Sequence, residues 1–137
     1  MLRHMNVRRA VLAGTAVSFA SMDLVHKSFA GAQYHHSRTP FTVLVIGGVI
    51  VALVVLVPRI SSNVAAVGAG IACGGALGNL VSLLAWSQGV PDPLVIGKTT
   101  GIAFNLADLF ALSGDVLLLS AVVVHGLRHR HKLREPV

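Results

Sequence analysis

Apolar residues along this chain come in long unbroken runs rather than in alternation or in a helical stripe. Four can be drawn: about Val11 to Ala32, Phe41 to Val57, Val64 to Trp86, and Ile102 to Leu127. A helix needs about 17 to 25 such residues to cross the hydrocarbon of a bilayer. Each run approaches that length, the second being the shortest. Pro40 and Pro58 bracket the second run, and Pro91 and Pro93 mark the stretch after the third as a turn. The pattern predicts one all-α membrane domain over residues 1–137, a bundle of four transmembrane helices ending in a basic tail at 128–137. The first run has the basic start and the small residues Ala30 to Ala32 of a cleavable signal peptide, but it is long and contains Asp23 and Lys27. It is therefore read as a retained helix.

Composition supports the bilayer as solvent. Hydrophobic residues make up 54% of the 137 and charged residues 12%, more apolar surface than a soluble domain of this size can hide. The chain has 14 glycines, and small residues let membrane helices approach closely where no hydrophobic force drives them together. Gly68, Gly70, Gly74, Gly75 and Gly78 give the third run such a packing surface, and Gly47 and Gly48 suggest close contact in the second. The lone Cys73 excludes an intramolecular disulfide and reads as a structural thiol.

Charge adds a direction. Arg3, Arg8, Arg9, Arg59, Arg128, Arg130, Lys132 and Arg134 flank the runs on one side, against Lys27, Arg38 and Lys98 on the other. The excess of basic residues marks the cytoplasmic side, so both termini are expected there. The tail also attracts anionic membrane lipids. The net charge of +6 does not indicate nucleic acid, because no aromatic residues interleave with the basic ones. His35 with His36, and His129 with His131, lack further ligands at metal-binding spacing, so neither a metal nor another cofactor is expected.

Ionisable groups inside a bilayer are costly and invite a functional reading. Asp23, Asp92, Asp108 and Asp115, with Asn79 and Asn105, form the chemical inventory. Asn105 and Asp108 share a helix face, and Asn79 and Asp23 fall at similar depth on other helices, so the four can meet in one layer. Plain alternatives stand beside this. Amides often glue membrane helices together, and Asp23 with His26 and Lys27 can form an ion pair snorkelling to the outer interface. Asp108 has no basic neighbour within a turn of its own helix. Asp115 is about 10 Å deeper by helical rise, too far for the two carboxylates to share a proton.

These residues resemble a family. Gly74-Gly75-Ala76-Leu77-Gly78-Asn79 and Phe104-Asn105-Leu106-Ala107-Asp108 look like the two central motifs of the lipoprotein signal peptidases, and Asp23-Leu24-Val25-His26-Lys27 resembles their Asp-x-x-x-Lys motif. The resemblance implies an intramembrane aspartic peptidase of the bacterial cytoplasmic membrane. Its substrates would be diacylglyceryl-modified prolipoproteins, cut before the lipidated cysteine. A pair of aspartates would share a proton, one acting as base on water while the other polarises the carbonyl, without a metal.

The pattern is broken at one place. The family reads Gly-Asn-x-x-Asp-Arg, whereas this chain has Gly78-Asn79-Leu80-Val81-Ser82-Leu83. Ser82 then occupies the position of the first catalytic aspartate and Asp108 is the surviving one, with Asn79, Asn105, Asp23 and Lys27 supporting the site. A hydroxyl cannot share the proton, so impaired catalysis is expected. Restoring Ser82→Asp would raise cleavage. For Asp92 to substitute, the outer loop would have to fold back. For Ser82 to act as a nucleophile, His26 or Lys27 would have to reach it. The extracytoplasmic β-cradle of the family is expected to be reduced or absent, since only Gln33 to Pro40 joins the first two spans. The echo of a family cradle motif in Gly101-Ile102-Ala103-Phe104 is taken as coincidence. The alternatives to a peptidase are a non-catalytic protein binding lipidated peptides or partner helices, and a small transporter built round Asp23, Asp108 and Asp115.

Overall fold

The computed structural model describes residues 2–37, 39–97 and 101–130. Arg38 and Lys98, and Lys132, Arg134 and His131 of the tail, therefore lie outside the described residues. The elements run α1 (Leu2–Phe29), β1 (Tyr34–His36), α2 (Pro40–Leu56), a single 3-10 turn (Val57–Arg59), α3 (Asn63–Ala85), β2 (Val90–Asp92), β3 (Leu94–Ile96), β4 (Ile102–Phe104) and α4 (Leu106–His129).

The chain is mostly helical. Three helices are long and apolar enough to cross a membrane: Pro40–Arg59, Asn63–Ala85 and Leu106–His129. α1 is long enough at 28 residues. It is not among the three because its arginines at one end and Asp23, His26 and Lys27 at the other lower its mean hydropathy.

α3 is the centre of the bundle, and its sequence says why. A Cβ added at Gly70 would stand 2.6 Å from Thr15 Cβ, one at Gly74 2.6 Å from Phe19 Cβ, and one at Gly68 2.6 Å from the Leu118 amide nitrogen. No real Cβ tolerates such separations, so larger residues here would push α1 and α4 away. The glycines let backbones touch, which is how dispersion replaces hydrophobic drive inside a bilayer. Leu12, Ala16, Ala69, Cys73 and Leu118 fill the small core between them. α2 by contrast has no buried residue. Thr39 caps its start by accepting from the Thr42 amide at 3.3 Å, with Pro40 in the first turn.

The fourth apolar run is not all helix. Asn105 caps α4, so the helix begins at Leu106, and Ile102–Phe104 forms β4, hydrogen-bonded antiparallel to β3 with Val95 opposite Ala103. Likewise α1 starts far earlier than Val11 and ends at Phe29, since helical hydrogen bonding is indifferent to the charged start. The connections after α1 and α3 also hold more structure than expected. β1 pairs antiparallel with β2, Tyr34 opposite Asp92 and His36 opposite Val90. This short strand pair is built across two loops that are distant in sequence. Gly89 makes the turn into β2 with φ of +99°, and a Cβ there would stand 2.6 Å from the His36 carbonyl oxygen.

Candidate active site

Asp23 and Lys27 lie one turn apart on the face of α1 that meets α3. Their side chains pair at 2.7 Å and both are buried. The expectation that this pair snorkels to the interface is therefore wrong. It points into the bundle because α3 offers partners there that outcompete distant water. Lys27 Nζ donates to Asn79 Oδ1 at 2.8 Å and to Ser82 Oγ at 3.1 Å, so its three ammonium protons have three acceptors. Asp23 Oδ1 accepts from the Ala107 amide at 2.9 Å, capping the first turn of α4 from another helix. Gly78 is explained by the same contact, since a side chain there would collide with the Asp23 carboxylate.

Ser82 is fully buried. Its hydroxyl donates to the Gly78 carbonyl at 2.6 Å and presents its oxygen to Lys27. Lys27 thus reaches Ser82, contrary to the expectation from sequence, but as a donor with no lone pair to spare. The contact fixes the lysine and does not activate the serine.

A second group of contacts joins this one through Asn79. Its Nδ2 donates to Asp108 Oδ1 at 2.9 Å. Asp108 Oδ2 accepts from the Asn105 amide at 3.2 Å, while the Asp108 amide donates to Asn105 Oδ1 at 3.2 Å. This reciprocal capping box is what starts α4. Asn105 is fully buried, and its remaining Nδ2 donates to Asp92 Oδ1 at 2.6 Å. The other Asp92 oxygen contacts His36 Nδ1, the histidine itself being largely exposed.

The loop after α3 does fold back. Pairing of β1 with β2 buries Val90 and Asp92 and brings the Asp92 carboxylate onto the residue that caps Asp108. Asn105 thereby contacts both carboxylates, that of Asp92 through its side-chain Nδ2 and that of Asp108 through its backbone amide, and each is also held by a further donor. Asp92 and Asp108 are thus bridged by Asn105, with each carboxylate oxygen facing a donor of its own. Ser82 belongs to the Lys27 group instead, with Asn79 between it and Asp108.

Sequence reasoning placed Asp23, Asn79, Asn105 and Asp108 in one layer, and the structure brings all four together. It gave His36 no role in the site, and it tied the approach of Asp92 to a fold-back of its loop, whose only local sign is the strand-forming Val90 after a turn glycine. Asp115 stands exposed on α4, away from both groups. Among the described residues no cluster of three metal-binding side chains occurs.

Comparison with curated proteins and with solved structures gave no match. The family model described as signal peptidase (SPase) II matches residues 4–124, nearly the whole chain. It covers the Asp23–Lys27 pair, Asn79 and the Asn105–Asp108 cap alike, and the chain is a member of the signal peptidase II family.

Proposed function

We propose that this chain is an active intramembrane aspartic peptidase that cleaves diacylglyceryl-modified prolipoproteins before the lipidated cysteine, with Asp92 and Asp108 as its two carboxyl groups. The observation that carries the reading is Asn105, buried and hydrogen-bonded to both. One carboxylate takes a proton from the attacking water. The other, protonated, donates to the scissile carbonyl oxygen as the tetrahedral intermediate forms; as the C–N bond then breaks, the proton taken from water passes to the leaving nitrogen and the hydroxyl of the intermediate returns its proton to the second carboxylate. Asn79 and the Asn105 amide hold Asp108 in place, while Asn105 Nδ2 and His36 hold Asp92.

The same reading makes α1 the fourth span, with both termini in the cytoplasm of a bacterial cell. Its 28 residues measure about 42 Å, and its two ionised groups near the site neutralise each other against α3 rather than facing lipid. Arg3, Arg8, Arg9, Arg59, Arg128 and Arg130 lie at the opposite end of the helices from Asp92 and Asp108, as the positive-inside bias requires of a site on the outer face.

A binding protein without cleavage is the second reading, favoured by Ser82 and Leu83 standing where the family pattern has Asp-Arg. Cleavage of a lipid-modified prolipoprotein by the purified chain separates the two. Asp92→Asn and Asp108→Asn should each abolish it while leaving the protein folded. An Asp92→Asn variant with unaltered cleavage would refute the assignment.

A further inference from the structure

The described cations apart from Lys27 gather at the end of the molecule away from the proposed site, and there α3 and α4 part to leave a groove of about 420 Å³. Its mouth carries Arg128, His125 and the hydroxyl of Ser61. Deeper, the wall is Leu117, Ala121 and Val124. None of the mouth residues has an acidic partner among the described residues, whose ion pairs are Lys27 with Asp23 and His36 with Asp92. The two imidazoles at the rim stack, with ring centroids 4.2 Å apart, and His129 Nδ1 donates to the His125 carbonyl at 2.9 Å, which fixes the rim.

We propose that this groove binds one phospholipid with a net-negative headgroup, its phosphate on Arg128 and the Ser61 hydroxyl and an acyl chain along Leu117, Ala121 and Val124. Three observations converge on that occupant. The cationic mouth asks for an anion, and guanidinium matches phosphate geometry. The apolar wall below it asks for hydrocarbon, which a free anion lacks. The groove also sits at the ends of two apolar helices, where lipid headgroups lie.

The test is retention of lipid by the full chain, purified in detergent and analysed by native mass spectrometry with phosphatidylglycerol or phosphatidylcholine, alone and with inorganic phosphate added. One phosphatidylglycerol should be held in preference to phosphatidylcholine. Arg128→Gln should weaken it about fivefold, the factor one basic residue gives near an anionic surface, and Ala121→Trp should displace it by filling the wall. Arg130→Gln removes the same charge two residues away without lining the groove, and should leave binding unchanged. Equal losses in Arg128→Gln and Arg130→Gln would mean diffuse attraction and overturn the proposal. So would displacement of the lipid by inorganic phosphate together with indifference to Ala121→Trp.

Discussion

Ser82→Asp is the substitution on which two accounts of the site diverge. If Ser82 marks the missing half of a catalytic pair, the carboxylate restores activity. If Asp92 already supplies that half, the new carboxylate enters a pocket with no use for it. Ser82 is 0% exposed, 3.1 Å from Lys27 Nζ, and that lysine is already paired with Asp23 at 2.7 Å. A second carboxylate gains about 4 kcal/mol of attraction to Lys27 and loses about 3 to repulsion from Asp23, taking charges 4 to 5 Å apart at an effective dielectric of 20. Against that near-balance stands the desolvation of an added ion, several kcal/mol, and the hydrogen bond to Gly78, about 1 kcal/mol. The net expectation is a loss of about 3 kcal/mol in stability, with cleavage lowered in proportion to the folded fraction or more. Ser82→Asn, which adds no charge, should cost far less. Denaturation in detergent micelles and a gel assay of prolipoprotein cleavage read the two quantities side by side. A Ser82→Asp variant as stable as the parent and faster in cleavage would refute the argument and return the catalytic role to position 82.

Other outcomes follow from the same contacts. Lys27→Met leaves the Asp23 carboxylate buried without its cation, which should cost about 3 to 5 kcal/mol, and adding Asp23→Asn to it should recover part of the loss in the same unfolding measurement. Asn105→Ala removes the side-chain cap of α4 and the contact to the Asp92 carboxylate while keeping the backbone bond to Asp108 Oδ2, so cleavage should fall at least tenfold, while stability drops by only about 1 to 2 kcal/mol for the lost cap. Cleavage falling no further than the folded fraction would make Asn105 structural alone. Gly75→Leu forces a side chain into the backbone of Ala107 on α4, and overpacking of about 1 to 3 kcal/mol should appear as a lower melting temperature. Asp115→Leu should leave cleavage intact, since Asp115 is exposed and touches neither group. Dependence of cation flux in liposomes on Asp115 would instead favour a transporter.

The sequence by itself determined the solvent, the helices and most of the polar layer. Long apolar runs between prolines can be satisfied only by helices in a bilayer, because every backbone group must find its partner within the segment. The second and third runs match α2 and α3 to within a residue or so for that reason. Asn79, Asn105 and Asp108 were legible because polar groups in such runs are too costly to be incidental.

The tertiary structure decided what those groups touch. Whether Asp23 and Lys27 face lipid or protein depends on acceptors that α3 supplies, 52 and 55 residues beyond Lys27 in the chain. Local spacing therefore suggested a snorkelling pair where a buried one exists. Ile102–Phe104 reads as helix by hydropathy, but it is a strand because Asn105 starts the helix after it and β3 offers a partner. Asp92 is the sharpest case. Its place beside Asn105 rests on the pairing of β1 with β2, two three-residue strands whose match is set by the folded positions of the helices that carry them. No periodicity within either loop encodes that contact, and on it turns whether the site has one carboxyl group or two.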